Sequence, residues 1–462
     1  MVFSSLTFLC LFLPVFLLVY NISGKLTYKN IVLVLFSLFF YAWGEPIWIL
    51  ALLASGTTDY ICGRVIDKHS NGKGRKIALV ASLIINLGLL GTFKYSGFII
   101  ENINALLGTS IKEPAFNLPL GISFYTFQTL SYTIDMYRGE IRVQKSFLSF
   151  MCYVSMFPQL VAGPIVRYSE VEKEVYNRKV TLKGFSEGVT RFSIGLAKKT
   201  LLANPAGAAA AMLLSDASKL TATTAWLGAF LYGYQVYFDF SGYSDMAIGI
   251  GKMIGFTFPE NFNYPFECRS VTDFWRRWHI SLSSFFRDYL YIPLGGNKRF
   301  TARNIAIVWI LTGIWHGAAW NYLYWGVYYG IFLLFERYVF GKALAKLPAL
   351  FGRLYGFLAI LGSWGIFFYP TAAERRMYYK AFFMIDTPLS SFLPESILMS
   401  HIWLIVVLVI AASSAPKRLY KYMCEFFPRL SLTEPFYAAG CILTSFLMLL
   451  GQTYNPFLYF RF

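Results

Sequence analysis

The stretch IAIVWILTGIWHGAAW, Ile305 to Trp320, sets one histidine in an apolar run that is long enough to form a membrane helix. His316 comes eleven residues after the run begins. At 1.5 Å per residue this is roughly 16 Å, or about half of a ~30 Å hydrocarbon layer. The run therefore indicates a membrane helix with an ionisable side chain near the midplane.

The rest of the chain has the composition of a membrane protein. Of its 462 residues, 56% are hydrophobic and 14% are charged, whereas a soluble domain has roughly 25% charged residues. At ~20 residues per crossing, with allowance for shorter and paired segments, the apolar runs predict about eleven crossings. We therefore expect an all-α polytopic membrane protein with a single domain over residues 1–462, and with interfacial and re-entrant helices in addition. The runs are Leu6 to Tyr20, Ile31 to Trp43, Ile47 to Ile61, Ile77 to Phe93, Phe147 to Ala162, Trp226 to Phe238, Ile305 to Phe335, Phe357 to Tyr369, Ile402 to Ala412 and Phe436 to Leu450.

The net charge of +17 follows the pattern of membrane topology and not that of a nucleic-acid surface. Lys and Arg collect in short links between apolar runs, for example at 64–76 and 167–183, which is the positive-inside pattern. If the links at 21–30 and 64–76 are cytoplasmic, the N-terminus lies outside and the basic region 267–303 faces the cytoplasm. The predicted partner of these charges is the lipid bilayer, and no nucleic acid is expected.

A second histidine lies in DFWRRWHISL, Asp273 to Leu282. Ser270, with a carboxylate three residues later, resembles a capping box and predicts a helix from about Asp273. Aromatic side chains fall on one face of this helix and arginines on the other, which is typical of a helix lying along the membrane interface. His279 falls near the edge of the apolar face beside Ser283, as either a packing residue or a functional one. The arginines are Arg276, Arg277 and Arg287.

The environment of His316 favours a functional role. Ionisable side chains at the membrane midplane usually face a cavity that holds water or ligand. The small residues Gly313, Gly317, Ala318 and Ala319 allow a neighbouring backbone or a substrate to approach closely. Desolvation disfavours the imidazolium, so we expect a neutral His316 that accepts a proton. The alternative is a structural histidine that bonds two helices.

Two carboxylates occur in a third segment, YQVYFDFSGYSDMAIGIG, Tyr234 to Gly251. Asp239 and Asp245 flank Ser241 and Gly242, and their six-residue offset would put them on different faces of an unbroken helix. We expect Gly242 to break the helix. The aspartates either contact substrate or tie helices together through Arg or Tyr side chains.

Several common types of active site lack their motifs in this chain. The sequence contains no GxSxG, HExxH or GxxxxGK[ST] motif, which removes support for a serine hydrolase, a zinc protease or a P-loop enzyme. The six cysteines are dispersed without a CxxC pair, so neither a disulfide framework nor a zinc site is predicted.

Longer blocks of sequence resemble the membrane-bound O-acyltransferase (MBOAT) family. Within it they are similar to a bacterial branch whose members O-acetylate alginate or peptidoglycan, or transfer D-alanine to teichoic acid. The resemblance covers nearly the whole chain. Its blocks are YFDFSGYSDMAIGIGKMIGFTFPENFNYPF from Tyr237, DFWRRWHISLSSFFRDYLYIPLGGNKR from Asp273 and GIWHGAAWNYLYWG from Gly313, together with FPQLVAGPIVRYSEV, GLAKKTLLAN and the closing NPFLYFRF.

The resemblance implies an O-acyltransferase of the bacterial cytoplasmic membrane. An acyl thioester donor, acetyl-CoA or an acyl carrier protein, arrives as a substrate from the cytoplasm, and no cofactor or metal is bound. The acceptor is a hydroxyl of an exported glycan, reached directly or through a periplasmic acetyltransferase partner. His316 maps to the invariant histidine of the family, and His279 to its second position, which is asparagine or histidine.

The resemblance and the chemistry together assign roles to these residues. Acyl transfer to an alcohol needs a base for the hydroxyl proton, a role that fits His316, while His279 would orient or polarise the donor thioester, or assist at the tetrahedral intermediate. Basic residues either hold donor phosphates or snorkel to the interface. The donor-binding candidates are Arg276, Arg277, Arg287 and Ser283, with Arg269 beside them, and the supporting polar candidates are Asp239, Ser241, Asp245, Asn321 and Trp315.

Three alternatives stay open at this stage. A transporter or flippase would also place ionisable groups in the membrane, although such proteins usually have inverted repeats and we find none here. A second alternative is transfer of D-alanine to teichoic acid in place of acetyl transfer. A third is a relay that passes the acyl group to a partner, which then makes the final transfer.

Overall fold

The computed structural model describes residues 1–69, 72–114, 116, 118–161 and 163–451. Ala162 and the closing NPFLYFRF motif therefore lie outside the described residues. Within those ranges the regular elements are helical and there is no β-strand, which agrees with the predicted all-α class. Five of the helical segments are π-helical, at Phe8–Phe12, Gly91–Tyr95, Lys198–Ala203, Arg287–Tyr291 and Glu336–Phe340.

The chain divides into two compact units. The first comprises Met1–Phe192 and Tyr243–Pro259, and the second comprises Ser193–Gly242 and Glu260–Phe462. The helices of the first unit are α1 (Leu13–Asn21), α2 (Leu26–Gly44), α3 (Ile49–Lys68), α4 (Lys73–Leu90), α5 (Ser96–Leu107), α6 (Ile122–Arg138), α7 (Phe147–Ser155), α8 (Phe157–Leu160) and α9 (Tyr168–Tyr176).

The remaining helices follow in chain order. Two of them, α10 (Leu182–Ala197) and α12 (Ala222–Met253), contribute residues to both units. The others belong to the second unit and are α11 (Asn204–Leu214), α13 (Val271–Trp275), α14 (Ile280–Phe286), α15 (Thr301–His316), α16 (Trp320–Phe335), α17 (Gly341–Lys346), α18 (Ala349–Phe368), α19 (Ala372–Phe382), α20 (Phe392–Ser400), α21 (Ile402–Ala411), α22 (Ala415–Phe426) and α23 (Glu434–Gly451).

The predicted count of about eleven crossings is not confirmed. Among the described residues, five helical segments are long and apolar enough to cross a membrane, or six if α20 and α21, bent by 63°, form one span. Several apolar runs instead form helices too short for this, such as α7 with 9 residues. The five segments are Leu26–Gly44, Ile49–Lys68, Lys73–Leu107, Ala349–Phe368 and Pro428–Gly451.

A buried carboxylate joins three helices of the first unit. Asp59 lies at the middle of α3 and is fully buried. It accepts hydrogen bonds from Ser82 and, at 2.8 Å, from Asn86, both on α4, and at 3.0 Å from Thr133 on α6. In an apolar environment such directional bonds fix the register of helices more strictly than apolar contacts do.

In the second unit, α15 and α16 form a closely packed hairpin. A Cβ added to Gly313 would lie 2.5 Å from the Tyr322 carbonyl oxygen and 3.2 Å from the Gly326 Cα. The close approach expected at the small residues is therefore confirmed for Gly313, which contacts the backbone of α16. Each helix has 16 residues, about 24 Å, which is less than the ~30 Å of the hydrocarbon layer. Both helices are therefore shorter than a full crossing, and the expected re-entrant helices stay a prediction.

Candidate active site

The segment that carries His279 is not one continuous helix. Its start is as expected, because the Ser270 hydroxyl accepts a 2.9 Å hydrogen bond from the Asp273 amide and α13 begins at Val271. Helix α13 has only 5 residues, and α14 begins at Ile280. The predicted long interfacial helix is wrong because His279 adopts a left-handed conformation, with φ of 45°, which interrupts the helix.

His279 is held by Asn261. The histidine was predicted near the edge of the apolar face, and at 1% exposed it is fully buried. Its Nδ1 lies 3.2 Å from the Asn261 Oδ1, and the Ile280 amide donates to the Asn261 carbonyl at 3.0 Å. A left-handed non-glycine residue costs about 1–3 kcal/mol and persists where its surroundings enforce it. Sequence reasoning missed Asn261, although it opens the NFNYPF stretch used for the resemblance.

Hydrogen bonds to Asn261 also fix the tautomer of His279. The backbone N–H of Ser281 donates to the same Asn261 Oδ1 at 3.2 Å, and the Ser281 hydroxyl donates to it at 2.9 Å. Because a backbone N–H can only donate, this oxygen is the acceptor, and the Nδ1 of His279 must carry the proton. In a neutral imidazole the Nε2 is then an acceptor.

Burial keeps the His279 ring neutral. The segment lies outside the candidate spans, between two short helices. Burial, with a smaller contribution from the charge of His316, lowers the pKa of His279 well below its ordinary value. The Phe240 ring lies 4.7 Å away and the Trp315 ring 5.8 Å away. His279 is thus a neutral imidazole in an apolar setting.

His316 lies at the tip of the α15–α16 hairpin. It is the last residue of α15, and Gly317 continues in an extended conformation. The ring centroids of Trp325, Trp315 and Phe367 lie 4.8, 5.0 and 5.6 Å from that of His316. These rings enclose the imidazole and leave it 7% exposed. The expected midplane depth stays a prediction.

Trp315 brings the two histidines into one site. Its ring contacts those of both His279 and His316. Asn321, at the start of α16, donates to the Phe367 carbonyl at 3.1 Å and so supports one of the aromatic walls. The arrangement places two buried imidazoles in an aromatic enclosure, where desolvation disfavours the charged imidazolium and favours the neutral ring that can accept a proton.

The aspartates of α12 form ion pairs. Helix α12 is unbroken from Ala222 to Met253, so the expected break at Gly242 is wrong. A Cβ at Gly242 would lie 2.7 Å from the Gly195 carbonyl oxygen, so close backbone packing explains this glycine. In the second unit Lys199 pairs with Asp239 at 2.6 Å. Ser241, between the two aspartates, is buried.

In the first unit Asp245 has a cationic partner as well. Arg191 contacts its carboxylate through Nη2 at 2.6 Å and through Nε at 2.9 Å. Both carboxylates of this segment therefore have the contacts expected of residues that tie helices together. A role in substrate binding stays a prediction.

The comparison with known proteins identifies the family. Residues 105–370 match the profile of the MBOAT, membrane-bound O-acyltransferase family. The chain belongs to the MBOAT family. It is an O-acyltransferase, and the matched region contains both His279 and His316.

Relatives of the chain include bacterial MBOAT enzymes. A probable alginate O-acetylase of Pseudomonas putida is 38% identical over 100% of both chains. A peptidoglycan O-acetyltransferase of Helicobacter pylori is 36% identical over 73% of this chain and 70% of its own. A teichoic acid D-alanyltransferase of Streptococcus thermophilus is 34% identical over 46% of this chain and 56% of its own.

The donor-binding candidates of this MBOAT protein separate into two groups. Arg276 and Arg287 are exposed, and Arg287 pairs with Asp288 at 2.6 Å. Arg277 pairs with Asp273 at 2.9 Å and, with Arg269, lines a cavity.

Ser283 contacts the His279 segment through its backbone. Its amide donates to the His279 carbonyl at 3.0 Å. This bond closes the first turn of α14, which helps to fix the backbone that carries the histidine. The contact is structural, and a role of the Ser283 hydroxyl with the donor stays a prediction.

Proposed function

We propose that this MBOAT protein transfers an acetyl group from a cytoplasmic thioester donor to a hydroxyl of an exported glycan. Full-length similarity to a probable alginate O-acetylase supports a glycan acceptor and an acetyl group. The relative named as a D-alanyltransferase covers less than half of the chain, which favours acetyl over D-alanyl. The proposed location is the bacterial cytoplasmic membrane, with the N-terminus outside.

The enclosed histidine pair is the observation that carries the mechanism. His316 accepts the hydroxyl proton while the acceptor oxygen attacks the thioester carbonyl. The carbon–sulfur bond then breaks, and the proton passes from His316 to the leaving thiolate. One acyl ester and one free thiol result, and the imidazole is neutral again. The aromatic enclosure excludes the water that would otherwise hydrolyse the donor.

The tautomer of His279 restricts its role. With the proton on Nδ1, the ring presents an acceptor at Nε2 and does not donate a hydrogen bond to a carbonyl oxygen. Among the roles predicted for His279, orienting the donor through a group that carries hydrogen fits this tautomer better than polarising the thioester carbonyl or assisting at the tetrahedral intermediate, both of which need a hydrogen-bond donor. The hydrogen bond from His279 to Asn261 holds the ring so that its Nε2 can accept this hydrogen.

The test of this function is acyl transfer from a labelled acetyl thioester donor by purified protein. General-base catalysis contributes about 10²–10⁴-fold, so His316→Ala should lower the rate at least about 100-fold. A matched control is His401→Ala, since His401 lies outside the matched family region. If His316→Ala is as abundant as wild type and keeps most of its rate, the mechanism is wrong and a transport role gains support.

Two substrate comparisons refine the proposal. The same assay with a D-alanyl thioester tests the alternative acyl group, and faster D-alanyl transfer would reverse the assignment. Purified protein supplied with donor and glycan, with and without a periplasmic acetyltransferase, distinguishes direct transfer from a relay. Product that forms only with the partner present would assign the last step to that partner.

A further inference from the structure

A strongly basic cavity lies in the second unit next to α13. Its volume is about 440 Å³, within the range of sites for small organic ligands. Six cationic side chains and one carboxylate line it, together with three neutral residues. We name it the basic cavity; its lining consists of Asn263, Tyr264, Glu267, Arg269, Arg277, Arg353, Ser414, Lys417, Arg418 and Lys421.

The protein itself compensates few of these positive charges. Arg277 is paired with Asp273, and Arg418 lies 3.7 Å from Glu267. Glu267 is already engaged, because it accepts hydrogen bonds from the amide and the hydroxyl of Ser414, each at 2.7 Å. Within the described part of the chain, the side chains of the other four cations make no hydrogen bond or ion pair. These four are Arg269, Arg353, Lys417 and Lys421.

The neighbours of Glu267 in the basic cavity stabilise its charged form. Partial burial by itself would raise the pKa of this carboxyl. Hydrogen bonds from Ser414, with the charges of Arg418 and Arg277, outweigh burial and lower the pKa below its ordinary value. Like charges that are gathered around one opening repel each other, and an anion that enters between them relieves the repulsion.

Helix α22 has the amphipathic character of a helix at the membrane surface. Lys417 and Lys421 lie four residues apart on one face and line the cavity. The opposite face carries Leu419, Tyr422 and Phe426, whose exposed fractions are 60%, 58% and 63%. A helix with one cationic and one exposed apolar face is typical of the bilayer interface, where phosphate groups are abundant.

The backbone connects the basic cavity with His279. The Asn263 amide donates to the Arg277 carbonyl at 2.9 Å, and the Ile280 amide donates to the Asn261 carbonyl at 3.0 Å. The segment 261–263 is therefore paired with 277–280. Two residues of extended chain span about 7 Å, so the cavity lining and the backbone of His279 are close neighbours.

We propose that the basic cavity binds a phosphate-ester anion. Arginine guanidinium groups hold phosphate oxygens in pairs and lysines add point charges, a combination that suits a diphosphate or a phosphodiester. One source of this chemistry is the nucleotide end of a soluble thioester donor, an assignment that rests on the proposed function. The other source is the headgroup of an anionic phospholipid, which does not depend on acyl transfer.

Equilibrium binding of coenzyme A to the full-length protein in phosphatidylcholine nanodiscs tests the first source. The cavity variant carries three substitutions at exposed positions of the basic cavity, Arg353→Gln, Lys417→Gln and Lys421→Gln. Its dissociation constant should be at least about tenfold higher than that of wild type, because charge-assisted hydrogen bonds are lost. The control Lys342→Gln/Lys346→Gln/Lys380→Gln removes the same charge from exposed positions outside the cavity and should bind as wild type does.

Nanodiscs that contain phosphatidylglycerol test the second source. Native mass spectrometry should show phosphatidylglycerol retained by wild type and by the control, and lost from the cavity variant. If the cavity variant loses coenzyme A or phosphatidylglycerol while the control variant keeps it, the site is supported and the lost probe identifies its ligand. If neither probe binds, or if both triple variants bind alike, the proposal is wrong. His316→Ala should bind coenzyme A normally, so failure of the mechanism and failure of this site are distinguishable.

Discussion

Replacing Gly313 by alanine tests whether hairpin packing positions His316. The added Cβ would lie 2.5 Å from the Tyr322 carbonyl oxygen, whereas carbon–oxygen contacts are normally at least ~3.3 Å. Helices α15 and α16 would have to separate by about 0.8 Å. His316 lies one turn further along α15, so its ring would move by a similar amount. A misplacement of ~1 Å costs about 100-fold in rate, and we expect a loss of that order.

The effect on stability should be much smaller than the effect on rate. Overpacking costs about 1–3 kcal/mol, and the better helix propensity of alanine returns up to about 1 kcal/mol. Acyl transfer and thermal unfolding in detergent should be measured on the same preparation. Gly440→Ala on α23 is the control, because its Cβ would meet no atom within 4 Å. Equal rates for the two variants would refute the idea that hairpin packing positions His316.

Two other expectations follow from buried ionisable groups. Asp239→Asn removes the negative charge that faces the buried Lys199 and should destabilise the protein by about 3–5 kcal/mol in thermal unfolding. The double variant Lys199→Met/Asp239→Leu should be more stable than either single change. A stable Asp239→Asn protein without activity would instead indicate contact with substrate. Because folding lowers the pKa of His279, the unfolded chain binds more protons than the folded one below pH ~6.5. The free energy of unfolding should therefore be constant above about pH 7 and fall as the pH drops below ~6.5, and the fall should be less steep in His279→Gln. Parallel plots of unfolding free energy against pH for the two proteins would contradict this.

Local signals predicted the features that depend on neighbouring residues. The N-cap residue Ser270 located the start of α13, and the small residue Gly313 indicated a close backbone approach. His316 stood out because an ionisable residue is rare in an apolar run. The helix start at Ser270 and the close approach at Gly313 each need only residues within a few positions and one physical rule, which explains why both are confirmed, whereas the role of His316 stays a prediction.

Features set by distant residues were not predictable from local pattern. The left-handed turn at His279 depends on Asn261, which lies 18 positions away in the chain. Gly242 was expected to break α12, but its small size accommodates Gly195 on α10. The predicted number of crossings is not confirmed, because hydropathy records the apolar length of a run and not where the helix ends. Likewise, the basic cavity joins cations from α18 and α22 that no linear motif contains.

The buried Asp59 has a consequence for how the first unit is made. A lone aspartate at the centre of a helix costs about 3 kcal/mol when that helix enters a bilayer through the translocon. The hydrogen bonds from Ser82 and Asn86 come from the very next helix, and the bond from Thr133 comes from one synthesised later. Helices α3 and α4 should therefore leave the translocon together as a pair, with α6 added afterwards. The order of synthesis thus matches the order in which the aspartate gains its partners.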